Sequence, residues 1–197
     1  MLDTRARSYI QPLFDKVADL CIKYKLSANH VTVIALIIGL VPSIVLYLDF
    51  SNILAVSILW LSGCLDAVDG TIARKTKASS PFGTIMDITF DRIVEISLML
   101  VLALKFSSNP FVFVVLAATI IINMTIFLTV GAASDKVSQK SFYYQPGLTE
   151  RTEGFIMFSL MILLPNYTDY IALIFAAMII FTSGQRFMEA HRFFKDK

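Results

Sequence analysis

The sequence predicts an all-α fold: a polytopic membrane protein of six transmembrane helices preceded by an amphipathic helix in the membrane interface. Three observations predict it. The chain of 197 residues is 56% hydrophobic with a mean hydropathy of +0.71, above the roughly 45–50% apolar content of soluble domains. Long apolar runs separated by short polar clusters recur throughout, with no low-complexity tail, which points to one domain over 1–197. The basic residues collect in alternate connections between those runs.

Over about 5–25, Ile10, Leu13, Phe14, Val17 and Cys21 recur at three- and four-residue spacing, with Arg7, Lys16 and Lys23 on other faces. This predicts a helix that either lies in the interface or caps the bundle. Six apolar segments follow, at about 32–48, 52–72, 84–104, 110–131, 152–165 and 168–186, forming a bundle over about 32–186. A bilayer core takes about 20 helical residues, so the fifth is short. Asn29 is the expected N-cap of the first span, where its side-chain oxygen would accept from early backbone N–H groups. Neighbouring His30 is expected as an interfacial polar residue. Pro42 should kink the first span without ending it. Pro110 opens the fourth and Pro165 ends the fifth.

Every Lys and Arg except Lys105 falls before the first span, in the 2–3 and 4–5 connections, or at the C-terminus. The positive-inside rule then makes both termini and those connections cytoplasmic, in a multi-pass protein of the cell membrane. A formal charge of +2 is too small to argue for nucleic acid. Cys21 and Cys64 form no CxxC and have no paired His, so neither a disulfide framework nor a zinc site is expected. Both are expected as small packing residues. Asp3, Arg5 and Arg7, with no early apolar stretch, do not make a signal peptide. Gly39, Ala117 and Ala118 are small enough for close helix contacts.

The chemistry is concentrated between Asp66 and Asp91. Asp66, Asp69, Gly70, Ala73 and Arg74 follow i, i+3, i+4, i+7, i+8 spacing, which puts them on one helical face. Asp87 and Asp91 are i, i+4 on the next helix, and Glu95 extends their stripe. The short 2–3 connection predicts that these two helices are adjacent and antiparallel, with the acidic stripes facing each other. A carboxylate inside a membrane helix costs about 2.5–3.5 kcal/mol, so four cost on the order of 10 kcal/mol without compensation. Oxygen ligands without Cys or His select Mg²⁺ or Mn²⁺ over zinc. Asp66, Asp69, Asp87 and Asp91 are therefore candidate metal ligands, enough for two ions of the kind that clamp the attacking and leaving oxygens at phosphorus. The bundle would place this site at the cytoplasmic face.

The pattern Asp66-x2-Asp69-Gly70-x2-Ala73-Arg74-x8-Gly83-x3-Asp87-x3-Asp91 resembles the complete signature of the CDP-alcohol phosphatidyltransferases. With usage of about 5–10% per residue type, a chance match of eight fixed positions is on the order of 10⁻⁸. The resemblance implies transfer of a phosphatidyl group from CDP-diacylglycerol to the hydroxyl of a small polar alcohol, with release of CMP, by an enzyme of phospholipid synthesis. It implies that Asp66, Asp69 and Asp87 hold metal and that Asp91 is the general base. Asp69, Gly70, Ala73 and Arg74 would bind the CDP-lipid, Gly70 and Ala73 by lacking bulk and Arg74 as a planar cation. A homodimer among membrane lipids is also implied. Gly83 is expected to serve close packing or a tight helix start.

For the acceptor, Arg151, Arg186 and Lys136 are the candidate phosphate-binding residues, each also explicable by the positive-inside rule. Residues 147–154 mix acids, hydroxyls and one Arg, as suits a polyol or amino alcohol. Glycerol 3-phosphate is the first expectation, and a serine- or inositol-type acceptor is the alternative. Two remoter readings are an intramembrane prenyltransferase and a lipid or ion transporter without enzymatic activity. Ion paths account for intramembrane acids but not for Gly70, Ala73 and Arg74 at their spacing.

Overall fold

The computed structural model describes residues 2–135, 149 and 151–195, with only the backbone described for 2–9 and 134–135. Every regular element among them is a helix: α1 (Leu2–Lys23), α2 (Ala28–Tyr47), α3 (Asn52–Lys75), α4 (Pro81–Lys105), α5 (Phe111–Asp135), α6 (Arg151–Leu163) and α7 (Thr168–Lys195). A single 3₁₀ turn, Pro165–Tyr167, joins α6 to α7.

Serines start α2, α3 and α4. The hydroxyls of Ser27, Ser51 and Ser80 accept from the N–H groups of His30, Leu54 and Gly83, and Pro81 fills the first position of α4. The cap of α2 is therefore Ser27 and not Asn29. Ser27 stands one residue before the helix and forms a reciprocal box, its own N–H donating to His30 Nδ1 at 3.3 Å. This leaves Asn29 uncommitted to the cap and gives His30 a local structural task.

Helices α1, α2 and α3 end alike, on a non-glycine residue in the left-handed region: Lys25 (φ 60°), Asp49 (φ 55°) and Lys77 (φ 54°). In each case the following N–H closes back five residues, to the carbonyls of Cys21, Val45 and Ala73. That geometry satisfies carbonyls left open by the helix end. Helix α2 runs unbroken through Pro42.

Four helical stretches are long and apolar enough to cross a membrane: Ala28–Tyr47, Asn52–Lys75, Phe111–Ala133 and Pro165–Lys195. The six expected segments all form helices, but α6 has only 13 residues and α4 carries Asp87, Asp91, Arg92 and Glu95. The last helix runs past 186 to Lys195.

Helix α2 packs against both α3 and α4, α5 against α7, and α6 against α7 and α3. Helices α3 and α4 bring their acidic stripes together at one end, as their short connection predicts, but along most of their length each packs on α2 more closely than on the other. Both close on α2 at Gly39. A Cβ there would stand 2.6 Å from Val94 Cγ2 on α4 and 2.7 Å from Ser62 Oγ on α3. Glycine lets α2 press against both neighbours, so that side chains of α3 and α4 converge on one point of α2. Ser62 seals one side by donating to the Ala35 carbonyl at 2.8 Å, and Ser43 and Ser97 share a 2.8 Å hydrogen bond on the other.

The main core runs through Leu46, Leu59, Leu98, Leu102, Leu116, Phe158, Met161 and Phe175. A smaller cluster, built on Ala18, Val31, Val68 and Ile72, seats α1 on the start of α2 and the end of α3. Phe14, Val17 and Cys21 pack there, whereas Leu13 and Leu20 are exposed. Thus α1 does cap the bundle, and it keeps a second apolar stripe outside. Cys64 is exposed on α3, against the expectation that both cysteines pack inside the chain.

Candidate active site

The site lies at one end of the bundle, where α2, α4 and α6 begin and α3 finishes. The i, i+3 spacing on α3 puts Asp66 and Asp69 on one face, and both are nearly buried, at 9% and 6% exposure. Asp87 reaches them from α4. One carboxylate oxygen from each of Asp66, Asp69 and Asp87 lies within 4.8 Å of the others. Asp91 is one turn further along α4.

Arg151, the first residue of α6, bridges the two helices. Its Nη1 donates to Asp66 Oδ2, and its Nη2 donates to Asp91 Oδ1 at 2.8 Å. The ring of Phe155 lies 5.7 Å from its guanidinium carbon. Sequence reasoning put Arg151 with an acceptor and missed this direct contact with the acids. The i, i+4 pair Arg151/Phe155 gave no hint, because α6 comes to α3 only through tertiary packing. A Cβ on Gly63 would stand 2.7 Å from the Phe155 ring, so this glycine admits the ring to α3.

The acid cluster fits a divalent cation. Arg151 pairs with two of the four carboxylates, Asp66 and Asp91, and Asp69 Oδ2 is buried with no hydrogen-bond donor. A buried anionic oxygen without a donor is costly, and a cation meets that need. The donors are all hard oxygens, which suits Mg²⁺ or Mn²⁺. Glu95, by contrast, is paired with Arg92 at 2.6 Å.

Beside the cluster is a cleft of about 200 Å³ lined by Asn29, Thr32, Asp69, Gly70, Ala73, Arg74, Gly83 and Asp87. All the fixed small residues of the motif therefore face one space. A Cβ on Gly70 would lie 3.3 Å from Arg74 Nη1, and one on Gly83 would lie 3.4 Å from Asn29 Oδ1. Gly83 also donates its N–H to the Ser80 cap at 3.0 Å. Arg74 Nη2 donates to Thr71 Oγ1 at 3.0 Å.

Arg186 is buried at 6% exposure and faces α5, with Nη1 3.3 Å from Asn123 Oδ1 and its guanidinium carbon 5.0 Å from the Phe127 ring. One turn before it, Thr182 accepts from the Thr149 N–H at 3.0 Å, which ties α7 to the approach to Arg151. Lys136 and most of 147–150 lie outside the described residues.

A bundle of long apolar helices that carries a cluster of carboxylates able to hold a divalent cation, beside a small-residue cleft, has the features of a membrane protein with a candidate metal site. The family model for CDP-alcohol phosphatidyltransferases matches residues 25–184, and the chain belongs to that family of transferases. An archaetidylinositol phosphate synthase of Pyrococcus horikoshii is 36% identical over 94 residues, which cover 48% of this chain and 49% of that protein. The chain thus matches about half the length of that relative. Two solved structures of Mycobacterium tuberculosis phosphatidylinositol phosphate synthase share the fold. One, in complex with manganese and citrate, has a TM-score of 0.73 and 17% identity over 90% of this chain and 88% of its own. The other, with CDP-DAG bound, has a TM-score of 0.74 and 16% identity over 91% and 94%.

Proposed function

We propose that the protein transfers a phosphatidyl group from CDP-diacylglycerol to a hydroxyl of a small phosphorylated alcohol, inositol phosphate foremost, with release of CMP. The observation that carries this is the trio Asp66, Asp69 and Asp87, within 4.8 Å of one another, two of which, Asp69 and Asp87, line the cleft that holds Gly70, Ala73 and Arg74. Asp66, Asp69 and Asp87, with Asp91 alongside, would hold two Mg²⁺ or Mn²⁺ ions. Such ions supply positive charge to the pyrophosphate and to the departing CMP.

Asp91 accepts the proton of the acceptor hydroxyl as that oxygen bonds to the phosphorus next to the lipid. The bond from this phosphorus to the CMP oxygen breaks, and CMP leaves with the electron pair. Gly70 and Ala73 leave room for the cytidine, and Arg74 offers its planar cation to phosphate oxygens. Arg151 contacts both Asp66 and Asp91, so a phosphate held by it lies beside the reacting hydroxyl. Arg186, buried against α5, is proposed as a further acceptor-phosphate residue, as is Lys136, which lies outside the described residues.

Glycerol 3-phosphate headed the sequence-based expectations. Inositol phosphate replaces it because the relative reported above is an archaetidylinositol phosphate synthase by name and the two structural neighbours are structures of a phosphatidylinositol phosphate synthase. In the proposed membrane arrangement α2–α7 make six passages. The basic end faces the cytoplasm, where a soluble nucleotide and a diacyl tail can meet. The working unit is a homodimer.

The test uses purified protein in phospholipid vesicles with Mn²⁺, labelled CDP-diacylglycerol and a panel of inositol phosphate, glycerol 3-phosphate, inositol and serine. CMP release is expected with inositol phosphate. Release with glycerol 3-phosphate alone would move the acceptor, and no release with any alcohol would sink the reaction. Asp91→Asn should keep nucleotide binding and lose turnover by roughly 10²–10⁴-fold.

A further inference from the structure

Arg74 is held by a hydroxyl that also receives a bond from α1. Thr71 is buried at 2% exposure one turn before Arg74 on α3. Its Oγ1 donates to the Ala67 carbonyl at 2.9 Å, the usual backward bond of a threonine inside a helix. That commits the proton and leaves two lone pairs. One accepts from Arg74 Nη2 at 3.0 Å and the other from Gln11 Nε2 at 3.4 Å. Gln11 is itself steadied by Asp15, whose Oδ1 accepts from the same Nε2 at 3.0 Å. Asp15 and Asp19 in turn hold Lys75, the residue after Arg74, with Lys75 Nζ 2.7 Å from Asp19 Oδ1. The donor arginine and its neighbour are thus both anchored to α1.

We infer that Thr71 is a positioning residue for Arg74, oriented in turn by Gln11, so that the amphipathic helix α1 helps set the donor site. This rests on the reading of Arg74 as a ligand of the CDP-lipid phosphates. Arginine carries considerable rotamer freedom. A fixed acceptor on one Nη restricts the guanidinium at the cleft wall before the lipid arrives, which is where preorganisation adds affinity. The bond from Gln11 keeps the second lone pair of Thr71 occupied, so the hydroxyl cannot turn its proton away from Ala67. Helix α1 carries exposed Leu13 and Leu20 on another face, so its seat on the membrane and its hold on Arg74 belong to one rigid element.

The experiment measures KM for CDP-diacylglycerol and kcat in vesicles for four variants. Thr71→Val keeps the shape and removes the acceptor. It should raise KM about tenfold, as expected for a lost hydrogen bond to a charged group, with kcat nearly unchanged. Thr71→Ser keeps the hydroxyl and should stay near the parent value. Gln11→Met should move KM in the same direction by less, and this half-buried position still reports if Thr71→Val accumulates poorly. In an Arg74→Ala background, Thr71→Val should add nothing. An equal KM increase from Thr71→Val in both backgrounds would overturn the inference, as would a loss confined to thermal stability. If Arg74→Ala alone leaves KM unchanged, the failure lies instead in the donor-site reading.

Discussion

Adding one methyl at Gly39 probes the point where α3 and α4 both close on α2. An alanine Cβ there would meet Val94 Cγ2 at 2.6 Å and Ser62 Oγ at 2.7 Å. Carbon atoms in contact rest about 3.5–4.0 Å apart, so α2 must retreat by about 1 Å or its neighbours must turn. Neither neighbour turns readily: Val94 is β-branched and restricted at χ1, and Ser62 is bound to the Ala35 carbonyl. Overpacking of this kind costs about 1–3 kcal/mol, and the better helix propensity of alanine offsets up to about 1 kcal/mol. Gly39→Ala should therefore destabilise the protein by about 1–2 kcal/mol. Turnover should fall further than stability, because α2 sets the distance between Asp66 and Asp69 on one side and Asp87 and Asp91 on the other. The assay is SDS-titrated unfolding in mixed micelles, with CMP release measured alongside. Val94→Ala removes the methyls the new Cβ would meet, so the double variant should recover part of the loss, with a coupling of about 0.5–3 kcal/mol. An unchanged midpoint and full turnover in Gly39→Ala would refute the role of α2 as the shared support of α3 and α4.

Two further perturbations address the site and the opposite end of the bundle. Asp69→Asn should weaken Mn²⁺ binding by roughly tenfold or more, since even partners one layer outside a metal's ligands are worth about 10–100-fold; electron paramagnetic resonance of free Mn²⁺ reads this without turnover, and unchanged affinity excludes Asp69 as a ligand. Asp169→Ala removes the acceptor of Ser107 Oγ (2.5 Å), Ser108 Oγ (2.7 Å), Ser108 N–H (3.0 Å) and Asn109 N–H (3.2 Å). It should destabilise the protein by about 2–3 kcal/mol and speed hydrogen exchange at Ser108 and Asn109, while unaltered exchange would show that α7 does not hold the α4–α5 connection.

The helices were legible because their signals are local. Apolar run length, Pro81 after Ser80, and i, i+3, i+4 spacing act within a few residues, and α2 to α5 begin and end close to where those signals lie. The cap of α2 was misread because Asn29 and Ser27 are both good caps, and the reciprocal bond with His30 decides between them only once the backbone is in place. The facing of the acidic stripes of α3 and α4 was read rightly, but the part of α2 in the packing of both helices was not. A short connection restricts how far apart two helix ends lie, but it says nothing about a third helix packing against both, and Gly39 admits one. The motif acids were readable as a group because charge is rare in apolar helices. Arg151 was singled out as an acceptor-phosphate candidate, but its contact with the acids was not legible, since Asp66 and Asp91 are 85 and 60 positions away in sequence.

Packing is unevenly distributed along the bundle, and that distribution explains why the chemistry sits where it does. At the end away from the acids, the large cluster around Leu98, Leu102 and Leu116 is closed by polar ties. Lys105 bonds Asp49 at 2.5 Å and the Tyr47 carbonyl at 3.1 Å, while Asp169 holds the α4–α5 connection. At the acidic end the cluster is small, and the cleft replaces side-chain contact. Local opening is easiest where few apolar contacts must be broken. On the proposed reaction a lipid and a soluble alcohol would both enter and leave this end, so firm closure at one end and an open cleft at the other suit one arrangement. Repulsion among the four carboxylates favours the open cleft, and Arg151, together with the proposed ions, limits how far it spreads.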